Sequence, residues 1–254
     1  MKNNKTIIKR AWKAAILLAA VAGGCIVIYR SRAEPERPST VTTEYVIVPS
    51  YTGQTFSAVE PQNVDDIYMD DLMSRMLEVY NEIRETNYPV WTDEQVAYTT
   101  QGKYMTASEW RDYLQKKYIE IEKQNARNDT AQMILAQIVS ESTLLGYDQE
   151  DYEAAKKEVE QQIIFGNGFS EKEEFLHTQQ WSEEEYQNNI EETALELLKQ
   201  TYVIRAIAEA EGLEPTEAEA VEAGIEDGKE KEEWFHTEMM NRVKDFLYNN
   251  NSIK

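Results

Sequence analysis

QTYVIRAIAEAEGLEPTEAE, residues Gln200 to Glu219, joins a helix end, a turn and a new helix start. Val203, Ile204, Ile207 and Ala208 recur at helical spacing, which puts them on one apolar face. Gly212 closes that helix, because without a Cβ it enters the left-handed region at no steric cost. Thr216 and Glu219 then form a capping box, in which hydroxyl and carboxylate each satisfy a backbone N–H at the start of the next helix. The stretch predicts a long-helix, all-α domain, and no catalytic motif accompanies it.

The same punctuation runs along the chain. Thr92 with Gln95, Thr106 with Glu109, Ser170 with Glu173 and Ser182 with Glu185 repeat the capping box, and Gly146 and Gly166 mark further helix ends. Together they predict helices near 64–86, 92–99, 106–143, 148–165, 170–178, 182–211 and 216–249, the last broken near Gly224 and Gly228. The third would run roughly 55 Å at about 1.5 Å per residue. Its apolar positions Trp110, Leu114, Tyr118 and Ile121 give way to Asn125, Asn128 and Gln132 before Leu135, Ile138 and Val139 resume. Such an interrupted stripe fits a helix packed at both ends and partly exposed between, as in a projecting arm. Ahead of the helices, Tyr45 to Ser57 alternates and turns at Thr52–Gly53, the one β-like signal expected.

Residues 1–33 are of another kind. Lys2, Lys5, Lys9, Arg10 and Lys13 precede sixteen uncharged residues from Ala14 to Tyr29, and Arg30 and Arg32 come after them, with no acid in the whole segment. A basic tip and an apolar run read as a single N-terminal transmembrane helix, short for a span but extended by Ala11, Trp12 and a snorkelling Lys13. The charge asymmetry puts the N-terminal end in the cytoplasm and the rest outside the cell membrane. A retained anchor is the leading reading, and cleavage after Ala33 or a lipoprotein signal ending at Cys25 would equally export the remainder of the chain. Residues 34–43, rich in Pro, Ser and Thr, read as a tether, leaving 44–254 as the helical domain.

The chain has 26 basic and 47 acidic residues, a net charge of −21. Without residues 1–33 it keeps 19 basic against 47 acidic residues, near −28. Such a surface repels phosphate backbones, so nucleic acid is not an expected partner, and its simplest use is to keep the domain solvated. Cys25 is the only cysteine, so the exported part has no disulfide and is held by packing alone.

Chemistry has few footholds. Glu174-x-x-His177 and Glu233-x-x-His236 carry the spacing that di-iron bundles use on two of four helices. With only two histidines in so acidic a chain they read as surface or partly packed side chains, and no metal or other cofactor is expected. No Gly-flanked serine or exported cysteine offers a nucleophile. Two apolar sets are better candidates for binding. Met69, Met73 and Met76, with Tyr80 and Ile83, line one helical face with flexible, polarisable side chains suited to varied apolar segments, although a core or helix–helix seam is the weightier reading. Phe165, Phe169, Phe175, Trp181 and Tyr186 cluster around the helix near Ser170, where core and exposed cradle tip weigh equally.

The order of these boundaries from Glu44 to Lys254 resembles the C-terminal, substrate-cradling domain of trigger factor. EYVIVPSYTGQTF at Glu44 to Phe56 resembles the linker ahead of that family's isomerase domain, and VDDIYMDDLMSRMLEVYNEIRE at Val64 to Glu85 resembles the helix entering it. WTDEQVAYTTQGKYMTASEWRDYLQKKY at Trp91 to Tyr118 resembles the segment leaving it for the arms, and Gly168 to Gly212 with NRVKDFLYNNNSIK at Asn241 to Lys254 complete the pattern. Only Thr86 to Val90 stands where an FKBP-type isomerase barrel would be, and no ribosome-docking domain precedes residue 44. Neither prolyl isomerisation nor a ribosome partner is therefore expected. The N-terminal domains of SurA-type and PrsA-type extracytoplasmic foldases are similar in helical pattern. The resemblance implies a non-enzymatic, ATP-independent holdase or folding factor, tethered to the membrane through residues 14–29 and binding unfolded or newly exported polypeptides. An adaptor of a secretion or envelope assembly is the alternative, and a di-metal carboxylate enzyme a more distant one. The methionine and aromatic sets are the expected client-binding residues.

Overall fold

The computed structural model describes residues 40–226 and 228–254; the expected cytoplasmic tip, the membrane helix of residues 14–29 and most of the tether lie outside them. The described chain is predominantly helical: α1 Asp66–Arg84, α2 Asp93–Thr99, α3 Ala107–Glu141, α4 Gln149–Gly166, α5 Lys172–Gln179, α6 Glu183–Glu211, α7 Glu217–Glu222 and α8 Lys229–Asn249. Five short strands accompany them: β1 Val41–Thr42, β2 Val46–Val48, β3 Thr55–Phe56, β4 Thr143–Leu144 and β5 Ser252–Ile253. Among the described residues no helix is long and apolar enough to cross a membrane.

Each expected helix is present with its ends within two residues, and the break near Gly224 and Gly228 separates α7 from α8. Four of the five capping boxes form. The hydroxyls of Thr92, Thr106, Ser182 and Thr216 each accept from the amide three residues on, while the side chain there returns to the cap. The fifth does not, because α5 begins one residue late, with Glu171 at the cap and no side-chain bond to its first amides. Gly212 closes α6 at φ 64°, the next amide reaching back to Ala208 O at 2.8 Å. After α4 the left-handed residue is Gly168, at φ 83°, and Gly166 is the last residue of the helix itself.

The strands correct the expected organisation in three places. β1 lies in the segment read as tether, β4 occupies the end of the expected third helix, and β5 ends the chain. β1, β2 and β4 form an antiparallel sheet in that order, Val41 opposite Val48 and Val46 opposite Leu144. α3 stops early because Ser142 turns extended, its hydroxyl donating to Ile138 O at 2.7 Å, and the chain then pairs with β2. β3 and β5 pair in parallel, Phe56 opposite Ile253. Two-residue strands carry no periodicity of their own, so their partners rather than their sequence define them.

Burial divides the helices into a body and an arm. In the body the C-terminal half of α3 contributes Ile134, Leu135 and Ile138, α6 contributes Ile204 and Ile207, α8 contributes Val243 and Leu247, and β2 contributes Val46 and Val48 to one apolar core. In the arm α1 sets Met69 and Leu72, beside Val64, against Leu114 and Tyr118 of α3. α3, 35 residues and about 52 Å long, joins the two, with Trp110 buried near its start and no further buried side chain before Ala126.

Candidate binding site

The aromatic set is a clasp between helices. Phe175 of α5 is buried and meets Phe169 edge-on at 5.4 Å, Trp181 edge-on at 5.5 Å and Tyr186 of α6 at 6.0 Å. Lys172 lies 4.8 Å from the centre of the Tyr186 ring and pairs with Glu183, and the Tyr186 hydroxyl donates to Glu160 of α4 at 3.2 Å. Burial, then the Glu160 charge, pushes that hydroxyl's pKa up to about 12, so it stays protonated and keeps donating. These contacts tie α4, α5 and α6 together. Phe175 and Tyr186 have no surface to offer a client and belong to the body core, a correction to their expected role. Phe169 and Trp181 pack half-buried around them, and Phe165 alone stands apart, 61% exposed at the end of α4.

The methionine face divides in the same way. Met69 is fully buried and Met76 packs half-buried on the arm core, because their stripe faces Leu114 and Tyr118 of α3. Met69 is thus a core residue, again correcting its expected role. Met73 is half-buried, and its carbonyl accepts from Trp91 Nε1 at 2.9 Å. Trp91 in turn stacks edge-on against Trp110 at 4.8 Å and lies 5.2 Å from Tyr80.

What remains open is the far end of that stripe. There Tyr80, Ile83 and Arg84 of α1 and Tyr98, Thr99 and Gln101 at the end of α2 line an open groove of about 470 Å³. Ile83 is 67% and Tyr98 61% exposed. Arg84 Nη2 donates to the Tyr98 hydroxyl at 2.9 Å and its guanidinium lies 4.8 Å from the ring centre, so the cation braces the ring without covering its outer side. Gln101, which lines the groove, and Glu85, the cap that closes α1 after Arg84, both adopt φ 54°, a left-handed conformation uncommon outside glycine. A second open concavity of about 720 Å³ runs along the start of α1, where Ile67 is 80% exposed between Asp65 and Asp71.

Reasoning from the sequence did not single out Ile67, Val90 and Tyr98 as exposed apolar side chains, and it placed Ile83 in a continuous methionine face. The available signal was a mismatch: the stripe from Met69 to Ile83 is longer than one crossing helix covers, and Ile67 lies on the opposite side of α1. Among the described residues no three His, Cys, Asp or Glu side chains are grouped to hold a metal ion, so the pairs Glu174–His177 and Glu233–His236 build no such group there. No protein-family model and no curated protein matches the chain.

Proposed function

We propose that this chain is a membrane-tethered, extracytoplasmic, ATP-independent chaperone whose arm holds unfolded or newly exported polypeptides, with a helical domain of the trigger factor C-terminal and SurA type and no prolyl isomerase activity. One observation carries the reading. Among the described residues, seven of the thirteen exposed large apolar side chains lie between Ile67 and Met105, the segment that makes the arm. Soluble surfaces seldom concentrate apolar side chains unless something binds there. The open grooves suit weak contacts with varied segments better than one enclosed ligand. Asp66, Asp70, Asp71, Glu78 and Glu82 stand among the apolar positions of α1 and would keep a loaded arm soluble. The mechanism is shielding: apolar stretches of a client leave water against Ile67, Ile83 and Tyr98, and dissociate when the client's own core competes for them.

The test is aggregation of several unrelated unfolded proteins in the presence of residues 38–254, which form one compact unit. Near-stoichiometric protection of most of them is expected, with loss of protection in the double variant Ile83→Ser, Tyr98→Ser at unchanged helical content. Protection of none would sink the reading, and tight capture of one specific protein alone would favour an adaptor. Protease added to intact protoplasts is expected to digest the domain; survival until lysis would refute its extracytoplasmic placement.

A further inference from the structure

Asn167 and Gly168, exposed in the turn between α4 and α5, are the only Asn-Gly pair in the chain. We propose that Asn167 is a site of intramolecular deamidation, held shut by the folded turn and opened when the last turn of α4 frays. Gly168 lacks a Cβ to shield its nitrogen, and open space surrounds the position where one would stand. In the reaction the deprotonated Gly168 nitrogen attacks Asn167 Cγ. The N–Cγ bond forms, the Cγ–Nδ2 bond breaks, and the amide nitrogen leaves as ammonia. Water then opens the five-membered imide at either carbonyl to give aspartate or isoaspartate, so one water enters for each ammonia lost.

Both reacting groups are engaged in the folded turn. Asn167 Nδ2 donates to Ile163 O at 2.7 Å, and the Gly168 amide donates to Phe165 O at 3.0 Å. Attack requires the second bond to break and the side chain to swing off the first. Fraying of a helix end breaks both at once, and terminal turns open far more often than a core.

The product differs from asparagine where it matters. A carboxylate has no proton to give Ile163 O, and it adds negative charge at the C-terminal end of α4, where the helix dipole is already negative. The same turn sets Phe169, whose amide bonds to Ile164 O at 3.0 Å and whose ring meets Phe175 edge-on. Deamidation therefore loosens the aromatic clasp from one side and adds Phe169 to the apolar surface beside Phe165, making the change a record of the chain's age.

The experiment incubates the detergent-solubilised full chain at mildly alkaline pH, folded and in urea, and locates isoaspartate by peptide mass spectrometry. Product at Asn167 is expected ahead of every other asparagine in both states, and about tenfold slower in the folded chain because reaction waits for local opening. Equal rates in the two states would overturn the gating, and no product at Asn167 while other asparagines react would overturn the site. Asn167→Asp should speed amide exchange across residues 163–170 and leave α6 unchanged; unaltered exchange there would refute the loosening.

Discussion

α6 and α1 are both capped helices with apolar stripes, yet they stand on different foundations. α6 buries Tyr186, Ile190, Ala194, Leu198, Val203, Ile204 and Ile207 along its length, against α3, α4, α8 and β2. α1 buries only Met69, Leu72 and Leu77. The body also ties down the described chain near both of its limits, through β1 on β2 and β5 on β3, with Asn251 bridging Tyr51 O at 3.0 Å and the Gln54 amide at 2.8 Å. The arm leans on exposed ion pairs from Arg111 to Asp66 and Asp70, each worth about 0–1 kcal/mol. It also carries a buried Gln95 Nε2 without a hydrogen-bond partner, a group that typically costs about 1–3 kcal/mol. Local signals thus make both helices, while the depth of burial behind them decides how firmly each is held. The arm is therefore expected to open locally before the body does.

Truncations in the two regions should separate most widely. Ile207→Ala, at a fully buried position of α6, is expected to lower global stability by about 2–5 kcal/mol in urea titrations. Phe175→Ser should cost a similar amount by emptying the clasp, about 3–5 kcal/mol for a large aromatic. Met69→Ala should act locally. Amides of α1 and α2 are expected to exchange with solvent much faster, while those of α6 keep their protection. If arm amides in the unaltered chain exchange only with global unfolding, the arm is held as firmly as the body and the contrast between them fails.

The contrast also explains what the sequence made legible. Helix starts could be read because a capping box is a three-residue event, as Thr106 with Glu109 illustrates, and helix ends where glycine was compelled, as at Gly212. The two-ended packing of α3 was readable from Asn125 and Asn128 interrupting its stripe. β4 and β5 were not, since Thr143–Leu144 and Ser252–Ile253 are strands only through partners nearly one hundred or two hundred residues away. The candidate site was half legible. An aromatic cluster looks the same in sequence whether it is a core or a cradle tip, and only the position of α6 puts Tyr186 inside while leaving Phe165 out. That Tyr98 lines a groove with Ile83 became visible only once α2 was seen to end beside it.

A smaller effect tests the joint between α7 and α8 in the body. Arg242 Nη2 bonds Glu219 Oε1 at 2.8 Å, and with the Thr216 amide and hydroxyl it holds that carboxyl down to about 2. The folded pKa lies below the unfolded value of about 4.3. The contribution is therefore complete above about 4.3 and drains away as the pH falls toward about 2. Arg242→Ala should lower the melting temperature near neutrality, and the gap from the unaltered chain should narrow through that acidic window. A gap independent of pH would mean that Arg242 acts through packing alone.

The smallest effect on stability should accompany the largest on function, and there the arm–body contrast is sharpest. Phe165, Ile83 and Tyr98 are more than half exposed, so single serine substitutions remove little buried surface, and each is expected to move stability by no more than about 0.5 kcal/mol. If the arm is where clients bind, Ile83→Ser and Tyr98→Ser should weaken protection of unfolded proteins while Phe165→Ser leaves it nearly intact, because Phe165 stands on the body, away from the grooves of α1 and α2. Arg84→Ala sharpens the outcome further. It releases the brace on Tyr98 without removing apolar surface, so a groove that depends on a fixed ring should lose protection, whereas a merely apolar patch should keep it. The reverse pattern, with Phe165→Ser alone abolishing protection, would move the site to the body and leave the exposed side chains of the arm without a role in client binding.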